Sequence, residues 1–332
     1  MGGAIADKFL AAIQEKRAYI PIRIESLRLD TITGFDLYLQ VREDEPVVLY
    51  AERNIAFTEE NRLRLEQNQV EYLLISFEQQ EEYRRYIESN LSAVLSDPTI
   101  TLESKTEILY ASAHGLMREL FDKPDMRAGM LRSREIVRST VDFMHSQRQA
   151  LQHLIQTAAT DYQTYTHSVN GCVLGIALAQ RIGYDIRSHL SEFGVGALLR
   201  DLGMTRIERS IREHSGKLTV SQYEALKQHP VFSEQIVRGL GETSKVALDL
   251  VRHHHEKIDG TGYPDKLHGD EIAPLVRVLT IVDVFDALTT TRSYQPSIGT
   301  FDALQLMYNK MQSELDLEFL RAFVGMMGNP GR

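Results

Sequence analysis

The sequence predicts an α+β protein in which a small N-terminal α/β domain is followed by an all-helical bundle. Short runs before Pro98 alternate apolar and polar residues, whereas apolar residues beyond it recur at helical spacing. Pro98 breaks the pattern, and Thr101 or Ser104 is placed to cap the next helix. We therefore expect three segments: an α/β domain of unassigned role at 1–98, a helical connector at 99–150 and a helical domain at 151–332.

The N-terminal segment combines strand-like and helix-like runs. Its apolar runs, bounded by turn residues, predict strands at "YIPIRI", "FDLYLQV", "PVVLYA" and "VEYLLIS". Between and after them, "TEENRLRLEQN" and "EEYRRYIESNL" have the composition and spacing of helices. This mixture predicts a small sheet that packs against helices.

The connector and the C-terminal domain show helical periodicity throughout. Residues 105–122 and 127–164 form two long amphipathic segments. Thr219 and Gln222 have the spacing of a capping box, so we expect a helix to begin there. We expect the same helix to close at His229, because a proline follows.

Composition excludes several classes of protein. The formal net charge of −9 argues against binding to nucleic acid polymers or to a membrane surface. Cys172 is the only cysteine, which excludes an internal disulfide and a cysteine-rich metal site. The apolar runs are too short for membrane insertion, and the start lacks the features of a signal peptide. We expect a cytoplasmic protein.

Histidine and aspartate side chains lie at the apolar edges of several predicted helices. Neutral imidazole and carboxylate together form the ligand set of zinc, iron, manganese or nickel, and converging helices can bring them together. Each residue alone could instead be a hydrogen-bonded core histidine or an aspartate that caps a helix or pairs with an arginine. His253 has a different helical phase and is expected to face solvent. The candidate metal ligands are His167, Asp201, His229, His254, His255 and Asp283.

Residues 165–296 resemble HD-GYP domains, the branch of the HD metal-dependent phosphohydrolases that hydrolyses cyclic di-GMP. The matching stretches are, in order, "YTHS", "LRDLGM", "QHP", "HHEKIDGTGYP", "VDVFDAL" and "RSYQP". The resemblance implies an HD-type helical bundle and a metal-dependent phosphodiesterase that converts cyclic di-GMP to pGpG or GMP. It does not extend to residues 1–98.

The resemblance also implies a pair of divalent transition-metal ions bridged by Asp201. Iron is the first choice by resemblance, and manganese or zinc are alternatives. Two cations would activate water and offset charge on the phosphoryl oxygens. One ion would take Asp201, His229, His254 and His255. The other would take His167, Asp201 and Asp283.

Substrate-binding and catalytic roles follow from the same resemblance. The turn that contains Gly262 and Tyr263 would overhang the metal pocket, where the tyrosine would meet a guanine base or a phosphate. Arg292 matches a family arginine that binds phosphate through a charge-assisted fork. The expected catalytic residues are Asp201, Arg292 and Tyr263, and the expected substrate-binding residues are Gly262, Tyr263 and Arg292.

The chain departs from the family pattern at several positions. Arg200 replaces the histidine of the histidine–aspartate pair, Met204 replaces a lysine and Gln295 replaces an arginine. Gln163 stands where some members have a glutamate, which disfavours a third ion. We expect the Arg200 side chain to turn away from the metals. These losses favour an alternative, a catalytically degenerate protein that binds metal and cyclic di-GMP and signals through protein partners.

Overall fold

The computed structural model describes residues 18–42, 45–147, 149–151, 153–154, 164–214, 216–290 and 297–328. The chain divides into two compact units, Met1–Ser112 and Ala113–Arg332. All strands in the described ranges lie in the first unit, and the second is a helical bundle. This arrangement confirms the predicted α+β class. The boundary at residue 98 and the separate connector at 99–150 stay predictions.

The first unit contains an antiparallel sheet. Its strands are β1 (Tyr19–Arg23), β2 (Thr31–Ile32), β3 (Leu37–Leu39), β4 (Val48–Ala51), β5 (Ala56–Phe57) and β6 (Tyr72–Ser76). Four of them form a sheet in the order β1-β6-β3-β4, while β2 and β5 pair as a separate ribbon. Each predicted apolar run contains one strand of the larger sheet.

The helices of the first unit complete its core. Helix α1 (Glu59–Gln67) begins with a capping box between Thr58 and Asn61, and helix α2 (Gln80–Ser96) follows the last strand. Phe35 is fully buried, and its ring meets those of Tyr83 and Tyr86 edge-on at 5.5 Å. These aromatic contacts join the segment before β3 to helix α2.

Two long helices follow, α3 (Leu102–Asp122) and α4 (Ala128–Ser146). The predicted amphipathic segment 127–164 is interrupted at Gln147, although residues 150–151 and 153–154 are again helical. Gln147 leaves helical geometry, with φ −128° and ψ 84°, so the hydrogen-bond ladder ends there. Residues 155–163 lie outside the described ranges.

The rest of the second unit consists of helices and the segments that connect them. They are α5 (Thr164–Arg181), α6 (Arg187–Leu199), α7 (Arg209–Arg212), α8 (Val220–Leu226), α9 (His229–Leu240), α10 (Lys245–His253), α11 (Pro274–Thr289), α12 (Thr300–Lys310) and α13 (Leu317–Gly328). Helix α6 packs against α4, α5 and α10, and α11 packs against α5. None of the helices in the described ranges has the length and hydropathy needed to cross a membrane.

The helix boundaries near His229 differ from the prediction in one respect. The capping box of Thr219 and Gln222 is present at the start of α8, as predicted. His229, however, opens α9 instead of closing α8, and Pro230 lies in the first turn of α9. Proline is well suited to that turn, because the first amide groups of a helix have no partner within the helix.

The division into two units predicts that a destabilising substitution in the core of the first unit does not unfold the helical unit. Phe35→Ala should destabilise the first unit by about 3–5 kcal/mol, because a buried ring is lost and a cavity remains. Metal binding by the second unit should not change. Denaturation followed by circular dichroism, together with metal analysis, tests this, with Phe77→Ala as a control at an exposed position. If Phe35→Ala loses metal and Phe77→Ala does not, the two units are coupled and the prediction is wrong.

Candidate metal centre

The structure brings all of the predicted ligands together in the helical unit. His167 lies on α5, Asp201 directly after α6, His229 at the start of α9, His254 and His255 directly after α10, and Asp283 within α11. Asp201 Oδ1 lies 3.4 Å from His229 Nε2 and 3.7 Å from His254 Nε2. Asp283 reaches His167 Nε2 at 3.0 Å and His255 Nδ1 at 3.5 Å.

Gly203 allows His229 to approach Asp201. It lies in a short 3-10 helix, Leu202–Arg206, that follows Asp201. A Cβ at this position would lie 2.0 Å from the carbonyl oxygen of His229 and 2.4 Å from the amide of Ser233. The Gly203 amide also donates to Ser233 Oγ at 2.7 Å. Only glycine permits this close packing between the turn and α9.

The imidazoles of His229 and His254 direct their unprotonated nitrogens at each other. Nδ1 of His229 donates to the Leu226 carbonyl at 2.8 Å, and Nδ1 of His254 donates to the Val251 carbonyl at 3.0 Å. When each ring is neutral, its proton is on Nδ1, and Nε2 therefore carries an unshared electron pair. The two Nε2 atoms are 3.3 Å apart. Facing lone pairs repel unless a cation lies between them.

A divalent ion fits this end of the pocket. His229, His254 and His255 each offer a ligand atom within 4.8 Å of the others, which is the one such group of three among the described residues. Asp201 Oδ1 lies beside two of these nitrogens, 3.4 Å from His229 Nε2 and 3.7 Å from His254 Nε2. Fixed tautomers with backbone partners are the usual support of metal-binding histidines. The donor set therefore suits a transition metal of borderline softness.

Arg200 lies inside the pocket, and the prediction that its side chain turns away is wrong. The residue is fully buried. Its Nε donates to Asp283 Oδ1 at 3.0 Å and lies 3.4 Å from Asp201 Oδ2. A guanidinium that cannot reach water is stable only beside opposite charge, and the two aspartates are the nearest source of it.

Asp286 holds His167 in place, and sequence reasoning did not single it out. Asp286 Oδ2 accepts from His167 Nδ1 at 2.5 Å, and Asp286 Oδ1 accepts from Asn170 Nδ2 at 2.6 Å. Asp286 follows Asp283 by one helical turn, so the spacing of the "VDVFDAL" stretch could have revealed that both carboxylates share one face of α11.

The electrostatics divide the pocket into two halves. Burial lowers the pKa of His229 to about 4, and burial with the neighbouring His254 places the pKa of His255 well below its ordinary value. Burial and Arg200 also lower the pKa of His167, but Asp283 and Asp286 outweigh them and raise it to about 9. His229 and His255 are thus kept neutral on the side where a metal fits, whereas on the other side His167 and Arg200 lie beside the aspartates.

Tyr263 covers the neutral half of the pocket. Its ring lies on that of His255, with centroids 4.7 Å apart and planes at 31°. Gly262 is buried, and a Cβ there would lie 2.4 Å from the amide of Lys257. Its lack of a side chain therefore serves the packing of the turn, and a contact between Gly262 and a substrate stays a prediction.

The buried carboxylate of Glu256 anchors the turn. It is 1% exposed and accepts from the amides of Asp265, Lys266 and Leu267 at 2.6 to 3.1 Å. Thr280 Oγ1 donates to the carbonyl of His254 at 3.0 Å and so holds the start of the same segment. These contacts fix the positions of His254, His255 and Tyr263 relative to α11.

The remaining predicted residues have mixed outcomes. Arg292, Gln163 and Gln295 lie outside the described residues. Met204 is half-buried in the 3-10 turn after Asp201. The prediction that His253 faces solvent is wrong, because its side chain is 17% exposed and its Nε2 lies 2.9 Å from Asp265.

Comparison with known proteins supports the family predicted from the motifs. A family model described as HD domain matches residues 145–318, more than half of the chain. Among solved structures, the chain resembles Bd1817, a HDG"Y"P protein from Bdellovibrio bacteriovorus. The TM-score is 0.66 at 22% identity, over 93% of this chain and 99% of that chain, so this likeness shows the fold. The chain belongs to the HD domain family.

Curated relatives are phosphodiesterases of cyclic dinucleotides. The chain is 34% identical over 180 residues to the cyclic di-GMP phosphodiesterase PA4108 of Pseudomonas aeruginosa, which covers 54% of this chain and 43% of that protein. It is 36% identical over 126 residues to the 3'3'-cGAMP-specific phosphodiesterase 3 of Vibrio cholerae, which covers 38% of this chain and 27% of that protein. The chain thus matches less than half the length of these relatives.

Replacement of the buried anchor should loosen the turn. Glu256→Gln turns one acceptor oxygen into a donor that faces amide groups, so the unfolding free energy should fall by about 1–3 kcal/mol. Glu271→Gln is the matched control, because Glu271 is exposed and accepts one amide, from His268. Its effect should stay within about 0.5 kcal/mol. Equal effects in urea denaturation of both variants would contradict an anchoring role for Glu256.

The ion pair of Asp265 predicts a pH-dependent contribution to stability. Arg252 donates to both oxygens of Asp265, at 2.6 and 2.8 Å, and with His253 lowers the pKa of Asp265 to about 2. A lowered pKa means that the stabilisation is complete above the unfolded pKa of about 4 and disappears as the pH falls toward 2.

Asp265→Asn should therefore lower the unfolding free energy most above pH ~4, by about 1 kcal/mol because the pair is partly exposed. The difference from the wild type should shrink with acidification. Asp249→Asn, which removes an exposed pair with Lys245 on α10, is the control. A difference for Asp265→Asn that does not depend on pH would contradict the assignment.

Proposed function

We propose that the protein is a metal-dependent phosphodiesterase that hydrolyses cyclic di-GMP to pGpG or GMP. The observation that carries this proposal is the pair of facing Nε2 atoms of His229 and His254 beside Asp201 Oδ1. Such an arrangement favours a bound cation. The family and the names of its relatives favour a cyclic dinucleotide as the substrate.

The metal would be held by His229, His254, His255 and Asp201. When bound, a divalent ion activates water near neutral pH and offsets charge on phosphoryl oxygens. Iron is proposed first, with manganese and zinc as alternatives, because histidine and carboxylate ligands suit all three. The pair of ions that the resemblance implies would add an ion at His167, Asp201 and Asp283.

The chain's own residues would orient the substrate. The Tyr263 ring, which already lies on His255, would stack with a guanine base or contact a phosphate at the edge of the pocket. Lys227 Nζ lies 5.9 Å from the centre of that ring and adds positive charge beside it. We propose that Arg292 and Tyr263 both contact the phosphate and that Asp201 holds the metal at which the reaction takes place.

Two cyclic dinucleotides are candidate substrates, and the same hydrolysis of a phosphodiester bond would apply to both. Cyclic di-GMP and 3'3'-cGAMP differ in one base, and relatives named for each of them match the chain. We propose cyclic di-GMP as the preferred substrate. A cytoplasmic location and protein signalling partners complete the proposal.

A second candidate function is binding without turnover. The observation that favours it is Arg200, an arginine in the place of a metal-ligating histidine, with Met204 in the place of a lysine. Loss of one electrostatic contact to a transition state typically lowers the rate by about 10²–10³. Binding through Tyr263 would be retained.

Neighbouring histidines provide a matched pair of variants for the test. His254→Ala should lower both metal content and hydrolysis of cyclic di-GMP to about one-hundredth or less, because it removes a buried ligand. His253→Ala should leave both near the wild-type level, since His253 pairs with Asp265 and lies outside the ligand set. Products are separated by chromatography, with 3'3'-cGAMP run in parallel. Binding measured by calorimetry without any product would establish the second candidate instead.

A further inference from the structure

The guanidinium of Arg200 touches the oxygens that a second metal ion would need. We propose that this guanidinium takes the place of the second ion, so that the protein binds one divalent ion, at His229, His254, His255 and Asp201. The inference rests on the proposed metal-dependent function and changes its stoichiometry. It also replaces the pair of ions implied by the resemblance.

The geometry shows that the Arg200 guanidinium already lies among the second set of ligands. Arg200 Nε lies 3.0 Å from Asp283 Oδ1 and 3.4 Å from Asp201 Oδ2. His167 Nε2 lies 3.0 Å and 3.7 Å from the same two oxygens. An ion placed among His167, Asp201 and Asp283 would have the fixed positive charge of Arg200 beside it, and a guanidinium cannot give up its proton.

The surroundings of Arg200 are shaped to hold it in this position. Its Nη1 donates to the carbonyl of Ala197 at 2.7 Å, and its Nη2 donates to the carbonyl of His167 at 3.2 Å. A Cβ at Gly171 would lie 2.3 Å from Nη1, so the absence of a side chain there makes room for the guanidinium. With three hydrogen-bonded nitrogens and no exposed surface, the group is part of the core.

Charge balance supports the same conclusion. Three carboxylates, those of Asp201, Asp283 and Asp286, line this part of the pocket. With the histidines left out of the count, one divalent ion and Arg200 together match the formal charge of these three carboxylates. Two divalent ions and Arg200 would exceed it by two charges, which is costly where water is excluded.

Metal stoichiometry is the direct test. The full-length protein is reconstituted with Mn²⁺, passed through a desalting column and analysed for metal per chain. The wild type should hold about one ion, and Arg200→His about two, because the substitution removes a cation and adds a ligand. Arg200→Lys is the charge-matched control and should stay near one. Electron paramagnetic resonance should show isolated Mn²⁺ in the wild type and a coupled pair in Arg200→His.

A second pair of variants tests the position without changing Arg200. Gly171→Ala forces the guanidinium out of its place, so a second Mn²⁺ should bind, more weakly than in Arg200→His. Gly175→Ala, one turn later on α5, meets the Phe193 ring at 2.4 Å and no cation, so it is a control for strain alone. It should hold the same amount of Mn²⁺ as the wild type. Circular dichroism confirms that each variant is folded, and if Arg200→His does not fold, the wild type and Gly171→Ala decide.

The possible outcomes separate this inference from the function on which it rests. Two ions in the wild type, or one ion in every folded variant, would overturn the inference and leave the metal-dependent function standing. No ion in the wild type, from Mn²⁺, Fe²⁺ or Zn²⁺, would overturn both. One ion in the wild type with a coupled pair in Arg200→His would support both.

Discussion

A guanidinium buried between two carboxylates is the interaction on which the rest of the helical unit depends. The side chains of Arg200, Asp201 and Asp283 are 0%, 13% and 7% exposed. Removal of one partner from such a buried set typically costs about 3–5 kcal/mol, because an uncompensated charge remains. The helices that carry these residues therefore have to keep fixed positions, and small residues such as Gly171 and Gly203 allow the required approach.

The same constraint explains the division of the pocket. On the side of Arg200, positive groups face aspartates, and Asp286 fixes His167 through its Nδ1. On the other side, backbone carbonyls accept hydrogen bonds from Nδ1 of His229 and of His254. The unprotonated Nε2 atoms of the two rings therefore face each other. On the first side, Arg200 already balances the negative charge of the aspartates. On the second side, a bound cation would relieve the repulsion between the two Nε2 lone pairs. The charged groups that stabilise the helical unit are therefore also the groups on which the proposed metal binding depends.

The parts of the fold that follow from local patterns were predictable from the sequence. Periodicity predicted the strands of the four-stranded sheet and the capping box before α8. The histidines of "HHEKIDGTGYP" were predictable as ligands because a motif with fixed spacing reflects a fixed geometry. The structure places them beside Asp201, although their binding of metal is still a proposal.

Features that depend on tertiary contacts were not predictable in this way. Arg200 was expected to turn away, since a charge beside a metal is unfavourable, but the partners that attract it inward come from other helices. The end of α4 at Gln147 and the role of His229 as the first residue of α9 depend on packing that periodicity does not encode. His253 is half-buried because Asp265 folds back over it, which helical phase alone could not show.

The most direct test of this account is a crystal structure of the metal-loaded protein with anomalous data collected at the absorption edge of the metal. The account predicts one anomalous peak per chain, among His229, His254, His255 and Asp201, with density for the Arg200 guanidinium between Asp201 and Asp283. A second peak among His167, Asp201 and Asp283, with Arg200 displaced, would contradict it.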